Sequence, residues 1–253
     1  MDHPIAPAAP RTRFFIVTTG RTGSTRLRLL LDSHPRITCH GELFGENIST
    51  LAAPGSEPHR HLLAERDRDP AGFAMQRAFA PTGADAVGFK ILHQQLLTRW
   101  PGLLDALQRA QDVRVIHLVR RNGIKRFMSE YFVGTVTGKN VYFLDEQLPR
   151  IEPVVVPATI LLERLCEERR QSARIRELFA GHPCHEIAYE DSLADDGPAL
   201  RAVQEFLGVP PAGLTAPIRK ILPDDLRQLI ANFDEVAAAV QGTPFESMLA
   251  GAP

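Results

Sequence analysis

The residues with most chemistry in this chain are Gly20-Arg21-Thr22-Gly23-Ser24-Thr25, directly after the apolar run Phe14–Thr19. Glycines let a loop turn tightly and bring backbone N–H groups close to a ligand. The leucine-rich stretch that follows predicts a helix, whose first turn offers unpaired N–H groups and the positive end of a dipole. Ser24 and Thr25 add hydroxyls, and Arg21 adds a charged fork. Together they read as a cradle for phosphate or sulfate. A plain strand–turn–helix capped by Ser24 uses some of the same residues, but Arg and two hydroxyls after a buried strand favour the anion site. The pattern departs from GxxxxGK[ST], because no Lys stands between Gly23 and Ser24. No later strand ends in an Asp; the run 113–119 ends in Arg120-Arg121. Phosphoryl transfer assisted by magnesium needs those parts. The expectation is an anionic donor handled without a metal, and no metal ligands are predicted.

A second basic segment supplies Arg121 at a strand end and Ser129 two helical turns on, both able to reach one phosphate. Taken alone, such an Arg and Ser are as a rule solvated. Lys90 sits inside the apolar run VGFKIL, where a lysine is unusual unless it is paired or faces a ligand. It is a candidate to contact the transferred group. Glu42 follows the second strand, near the strand ends where α/β proteins bind ligands. It is the first candidate for a general base, against a solvated loop carboxylate or helix cap.

The elements that must position these groups are legible as alternation. Runs at Phe14–Thr19, Ile37–Cys39, Val87–Leu92, Val113–Val119 and His185–Tyr189 read as strands, several apolar on both faces. Helical patterns lie between them at Thr22–Ser33, Leu96–Ala110 (interrupted by Pro101), Asn122–Phe132, Ala158–Ala180, Pro198–Leu207 and Pro223–Val240. The predicted fold class is α/β: a single P-loop-like domain over 1–253, with a central, mainly parallel sheet of about five strands and helices on both faces. The loop and its helix occupy 14–33. Segments 45–85 and 134–157 read as irregular lid or substrate segments, where Phe73, Phe79, Tyr142 and Phe143 either line an acceptor site or pack. Residues 242–253 read as a loose tail.

Composition excludes some functions. Lys plus Arg is 29 and Asp plus Glu is 30, a net charge of −1. A general nucleic-acid binder usually has a large basic excess and an aromatic stacking surface. The basic charge is instead concentrated: six Arg against Asp32 in residues 11–40 (+5), and five basic residues against Glu130 in 114–130 (+4). Two local patches suit one small donor charged at both ends. No apolar run reaches the roughly 18 residues that span a membrane, and MDHPIAPAAPRTR has no secretory apolar core. The three cysteines (Cys39, Cys166, Cys184) suggest neither a disulfide framework nor paired zinc ligands. A cytoplasmic protein is expected.

With its two basic motifs in this order, the chain resembles the sulfotransferases that use 3′-phosphoadenosine 5′-phosphosulfate. The stretch GRTGSTRLRLLLDSHP…GELF is most similar to the bacterial and carbohydrate-type branches. The resemblance implies that Arg21, Thr22, Gly23, Ser24, Thr25 and Arg26 hold the 5′-phosphosulfate, Arg21 with the loop backbone stabilising the leaving phosphate. It implies that Arg121 and Ser129, eight apart, clasp the 3′-phosphate and that Tyr189 touches the adenine. The family's late Arg-Lys-Gly phosphate loop is matched only by Arg219-Lys220-Ile221, without the glycine. Glu42 is then the base. His93 is the alternative, since another branch uses a His two residues after the strand Lys, whereas His93 lies three after Lys90; a structural histidine is the other reading.

The implied reaction moves a sulfuryl group to a hydroxyl or amine of a small-molecule, lipid or carbohydrate acceptor, in line and with a general base. The rivals are a P-loop-type kinase with a degenerate loop and a non-catalytic nucleotide-binding protein. The acceptor's identity and the oligomeric state, a homo-oligomer included, stay open.

Overall fold

A computed structural model of the chain describes residues 9–46 and 48–250. The outer ends of the predicted 1–253 domain, residues 1–8 and 251–253, lie outside the described residues. Strands β1 (Thr12–Thr18), β2 (Ile37–His40), β3 (Ala86–Leu92), β4 (Arg114–Val119) and β5 (Cys184–Ala188) form one sheet in the order β2-β3-β1-β4-β5, and every pair is parallel. Each predicted strand is present within two residues at its ends. The helices are α1 (Ser24–Asp32), α2 (Glu57–Arg68), α3 (Pro70–Phe73), α4 (Pro101–Arg109), α5 (Gly123–Phe132), α6 (Ala158–Leu178), α7 (Pro198–Phe206) and α8 (Phe233–Val240).

Side chains alternate across a strand, so β1 feeds two cores. Phe14 and Ile16 pack with Leu27, Leu30 and Leu31 of α1 and with Leu200 and Val203 of α7. Phe15 and Val17 pack on the other face with Phe44, Phe73, Leu103, Leu107 and Phe179. Helices α5, α6 and α8 close a third cluster around Ile124, Phe127, Leu165 and Val236. Gly88 lets β3 pair with β1: a Cβ there would lie 2.3 Å from the Phe14 carbonyl oxygen and 2.6 Å from its ring. Parity also sends Lys90 to the α1 face, while its neighbours Phe89 and Ile91 enter the opposite core.

The strand order reverses about β1. The β1 connection runs to β2 on one side, and β4 leads to β5 on the other. The loops after β1 and β4 therefore part at one sheet edge, the place where open α/β sheets bind ligands.

Several expectations need correction. Segment 45–85 is not irregular: it holds α2, α3 and a wide helical turn at Ala74–Ala78, and Phe73 and Phe79 are core residues. Pro223–Val240 is not one helix, because a single turn at Leu226–Gln228 precedes α8. The tail is docked as far as Leu249: Phe245 is buried, Met248 and Leu249 pack against the third cluster, and Asn122 Nδ2 donates to the Met248 carbonyl at 2.8 Å. Segment 134–157 is mostly irregular, as expected, and is tied to the stretch at Pro217–Arg219. Phe143 forms an antiparallel bridge with Ile218, and Arg219 N donates to Tyr142 O at 2.8 Å.

Candidate active site

Helix α1 begins without a side-chain cap. Gly23, its N-cap residue, is left-handed (φ 80°), and the first turn has no acidic residue. The first N–H groups thus face a cleft with no capping side chain and no acidic residue of their own turn set against them, a geometry that attracts anions. Gly23 is required twice over, because a Cβ there would lie 2.3 Å from the Tyr189 ring. Ser24 stands inside the helix, so the capped alternative does not describe the loop. Arg21 is the one non-glycine residue with positive φ (66°) among those described, a conformation that costs about 1 kcal/mol or more and gathers at functional sites. The loop is held from below: Thr22 Oγ1 donates to Thr19 O at 2.7 Å, and the buried Arg126 donates to Gly20 O at 3.3 Å. Arg126 is fixed in turn by Glu168 at 2.5 Å and Glu130 at 2.8 Å.

The cleft in front of this loop is lined by Arg21, Gly23, Ser24, Thr25, Arg26, Arg120, Lys125, Ser129 and Tyr189, and is roofed by Asn140, Arg219 and Lys220. Arg21 donates to Ser129 Oγ at 3.2 Å and to the backbone and side-chain oxygens of Asn140 at 2.9 and 3.1 Å. Arg120 donates to Arg21 O at 3.2 Å and lies 4.6 Å over the Tyr189 ring. Its Nε is buried without a partner among the described residues. Burial and the neighbouring Arg120 charge lower Arg21 from the usual guanidinium range, and burial lowers Arg120. Two cations crowd together here with neutral oxygens as hydrogen-bond partners, an arrangement suited to an anion.

A second cleft adjoins the first. Its wall includes Glu42, Glu46, Lys90, Gln94, Gln95 and Arg99, and it shares Thr25, Asn140 and Val141 with the first. Lys90, with 7% of its side chain exposed, bridges the two: its Nζ meets Glu42 Oε1 at 2.8 Å and donates to Thr25 Oγ1 at 3.2 Å. Gln95 donates to the other Glu42 oxygen at 3.3 Å. The carboxylate is aimed by two neighbours and still opens to the cleft.

Other sequence candidates stand elsewhere. Arg121 does not join the first cleft: it is 62% exposed and forms a two-pronged ion pair with Asp191. Glu190 accepts from the N–H groups of Arg121 and Asn122, both at 3.1 Å. His93 is 1% exposed and packs 5.3 Å from the His117 ring, with Thr19 Oγ1 3.3 Å from its Nδ1. It lines neither cleft. Burial first, then the His117 charge, push it down to about 3. Arg26 lines the first cleft, yet binds Ser192 O, Leu193 O at 3.0 Å and Asp195. Lys220 pairs with Asp224, and Arg219 donates to Glu146 O at 3.0 Å. Sequence reasoning missed Arg120 and Asn140. The doubled Arg120-Arg121 signals the first, whereas nothing in GTGKNVYF singles out Asn140.

An all-parallel sheet carries an uncapped glycine loop at its switch point and a lysine–glutamate pair at the border of two clefts, an arrangement suited to group transfer. The family model described as the sulfotransferase family matches residues 13–212, and the chain belongs to that family. It is 30% identical over 241 residues to nodulation protein H of Rhizobium tropici, covering 92% of this chain and 90% of that protein. It is 26% identical over 256 residues to nodulation protein H of Rhizobium meliloti (strain 1021), covering 97% and 96%. Among solved structures it shares its fold with a sulfotransferase from Alicyclobacillus acidocaldarius, at TM-score 0.51 and 21% identity over 97% of this chain and 98% of that one. The sulfotransferase domain of the curacin biosynthetic pathway aligns at TM-score 0.50 and 16% identity, over 81% and 76%. The protein is therefore a sulfotransferase, a transferase enzyme.

Proposed function

We propose that the donor is 3′-phosphoadenosine 5′-phosphosulfate, held in the first cleft, and that the acceptor is a hydroxyl of a polyhydroxylated small molecule or carbohydrate in the second. The residues present fit a donor with anionic groups at two ends: the uncapped start of α1, Arg21 and Ser24 for one, and the cationic wall toward α5 for the other. Bound there, the donor supplies the sulfuryl group. The loop N–H groups and Arg21 hold the leaving phosphate, and Lys90 neutralises charge on the equatorial oxygens beside Thr25. Glu42 accepts the acceptor's proton as its oxygen joins sulfur and the sulfur–oxygen bond to the 5′-phosphate breaks. Tyr189, on the wall of the first cleft, stands beside the adenine.

A carbohydrate-like acceptor is favoured over an apolar one by the second cleft's lining, where Glu46, Gln94, Thr98 and Arg99 join Glu42 and only Leu92 and Val141 among the larger side chains are apolar. Work in the cytoplasm belongs to the same reading, supported by three cysteines that stand free.

The observation that carries the proposal is the chain Thr25–Lys90–Glu42, which joins the two clefts through contacts of 3.2 and 2.8 Å. With labelled donor and a panel of sugar acceptors, Glu42→Gln should lower kcat about 10²- to 10⁴-fold, while binding of adenosine 3′,5′-bisphosphate stays intact. Full turnover in that variant, or a wild-type protein that ignores the bisphosphate, would overturn it.

A further inference from the structure

Two arginines rest on the Trp100 ring, one saturated and one not. The indole itself is fixed by its N–H, which donates to Phe44 O at 2.9 Å. Arg66 lies 5.2 Å from the ring centroid, is buried, and spends its guanidinium on Leu43 O at 3.1 Å, Gly45 O at 2.5 Å and Asp67 at 2.7 Å. Arg99 lies at the same 5.2 Å, yet no oxygen among the described residues accepts from it. It is exposed and lines the second cleft. Stacking holds a guanidinium plane against a ring and leaves the N–H groups at its edge for a ligand.

The charges of that cleft single Arg99 out. Of the four charged side chains on its wall, Glu42 and Lys90 meet each other at 2.8 Å. Glu46 needs only donors, which any hydroxyl supplies. Arg99 carries a full charge on a planar fork, which a carboxylate or phosphate meets best. Its place relative to the reacting end is also set. Gln95–Arg99 is one wide helical turn, and Gln95, at its start, donates to Glu42 Oε2 at 3.3 Å. Side chains one turn apart start roughly 5–6 Å from each other, so Arg99 springs from the cleft wall one turn beyond the residue that holds the base. We propose that Arg99 binds an acidic group on the acceptor, which makes the acceptor a hydroxylated acid, a sugar bearing a carboxylate or phosphate, and not a neutral sugar. This rests on the acceptor reading above and makes Arg99 a specificity-determining residue of the second cleft.

The test measures kcat/KM with labelled donor and a matched set of acceptors: glucose, glucuronate, glucose 6-phosphate and glucosamine. The wild type should favour at least one of the two acids over glucose by about 10- to 100-fold, the size of a charge-assisted hydrogen bond, with the difference carried by KM. Arg99→Gln should bring the ratio of acid to glucose within about threefold of one, the size of effect left when that bond is gone. Calorimetric binding of adenosine 3′,5′-bisphosphate, a first-cleft property, verifies that the variant is folded. Arg109→Gln, the same change at the exposed end of α4, should keep the ratio. Equal use of acids and glucose by the wild type, a preference for glucosamine, or an acid preference that survives Arg99→Gln overturns the assignment and leaves the acceptor reading in place. Loss of the ratio in Arg109→Gln overturns it too, since that marks a general attraction of charge. Turnover of none of the sugars defeats the acceptor reading itself, and the assignment with it.

Discussion

Lys90 on β3 and Glu42, just past the end of the neighbouring parallel strand β2, meet at 2.8 Å on the edge between two clefts. Neither is placed by its own loop alone. Lys90 is fixed by the parity of β3, and Glu42 follows the short β2 that pairs with β3 through Cys39 and Gly88. Lys90→Met should therefore disturb two things at once: charge compensation in the transfer step and the aim of the carboxylate. We expect kcat to fall about 10²- to 10³-fold with donor affinity less affected, as steady-state kinetics and calorimetry would register.

Gly23→Ala should be costly for a reason confined to one atom. The added Cβ meets the Tyr189 ring at 2.3 Å and forces a left-handed alanine. Stability should drop by about 1–2 kcal/mol from the backbone alone. Affinity for the bisphosphate should drop as well, because the ring and the α1 N–H groups shift together. Equal urea midpoints for the two proteins would contradict this.

Arg126 lies under the loop and holds Glu168, Glu130 and the Gly20 carbonyl. Its loss leaves the largely buried Glu168 carboxylate uncompensated, and burial already raises that group above the usual carboxylate range. Arg126→Met should destabilise the fold by about 3–5 kcal/mol, a large part of a typical total of about 5–15 kcal/mol. Chemical denaturation gives the number; a change under about 1 kcal/mol would refute it.

The buried pair His93 and His117 sets a pH dependence. Burial lowers them to about 3 and about 4, against about 6.5 in an unfolded chain. Between those values the unfolded state binds more protons, so stability is withdrawn as pH falls from about 6.5 toward 4. Melting temperatures across that window should fall less steeply for His93→Asn than for the wild type, a polar atom still being offered to Thr19.

How much of this was legible in the sequence depends on the range of the determining contact. The β1–loop–α1 unit was plain, because apolar parity, two glycines and hydroxyls act within a dozen residues. Lys90 stood out as a charge in an apolar strand, and the Thr25 and Glu42 contacts supply its reason. The pairing of Arg121 is hidden in the sequence: counting back eight from Ser129 selects it, and its partner Asp191 lies 70 residues away. Segment 45–85 reads as irregular from its Pro and Gly content, yet Ser56 and Asp69 cap α2 and α3 through His59 N and Gly72 N. Those two caps, each followed closely by a proline, were the signal available locally. His93 could not be placed from spacing, since its burial depends on His117 one strand beyond β1.

Asn140 and Val141 wall both clefts, and Asn140 also holds Arg21. A partition with two tenants cannot answer to one of them alone. Whatever displacement one substrate imposes on it is felt by the other as a change in affinity, and thermodynamic reciprocity makes the two effects equal.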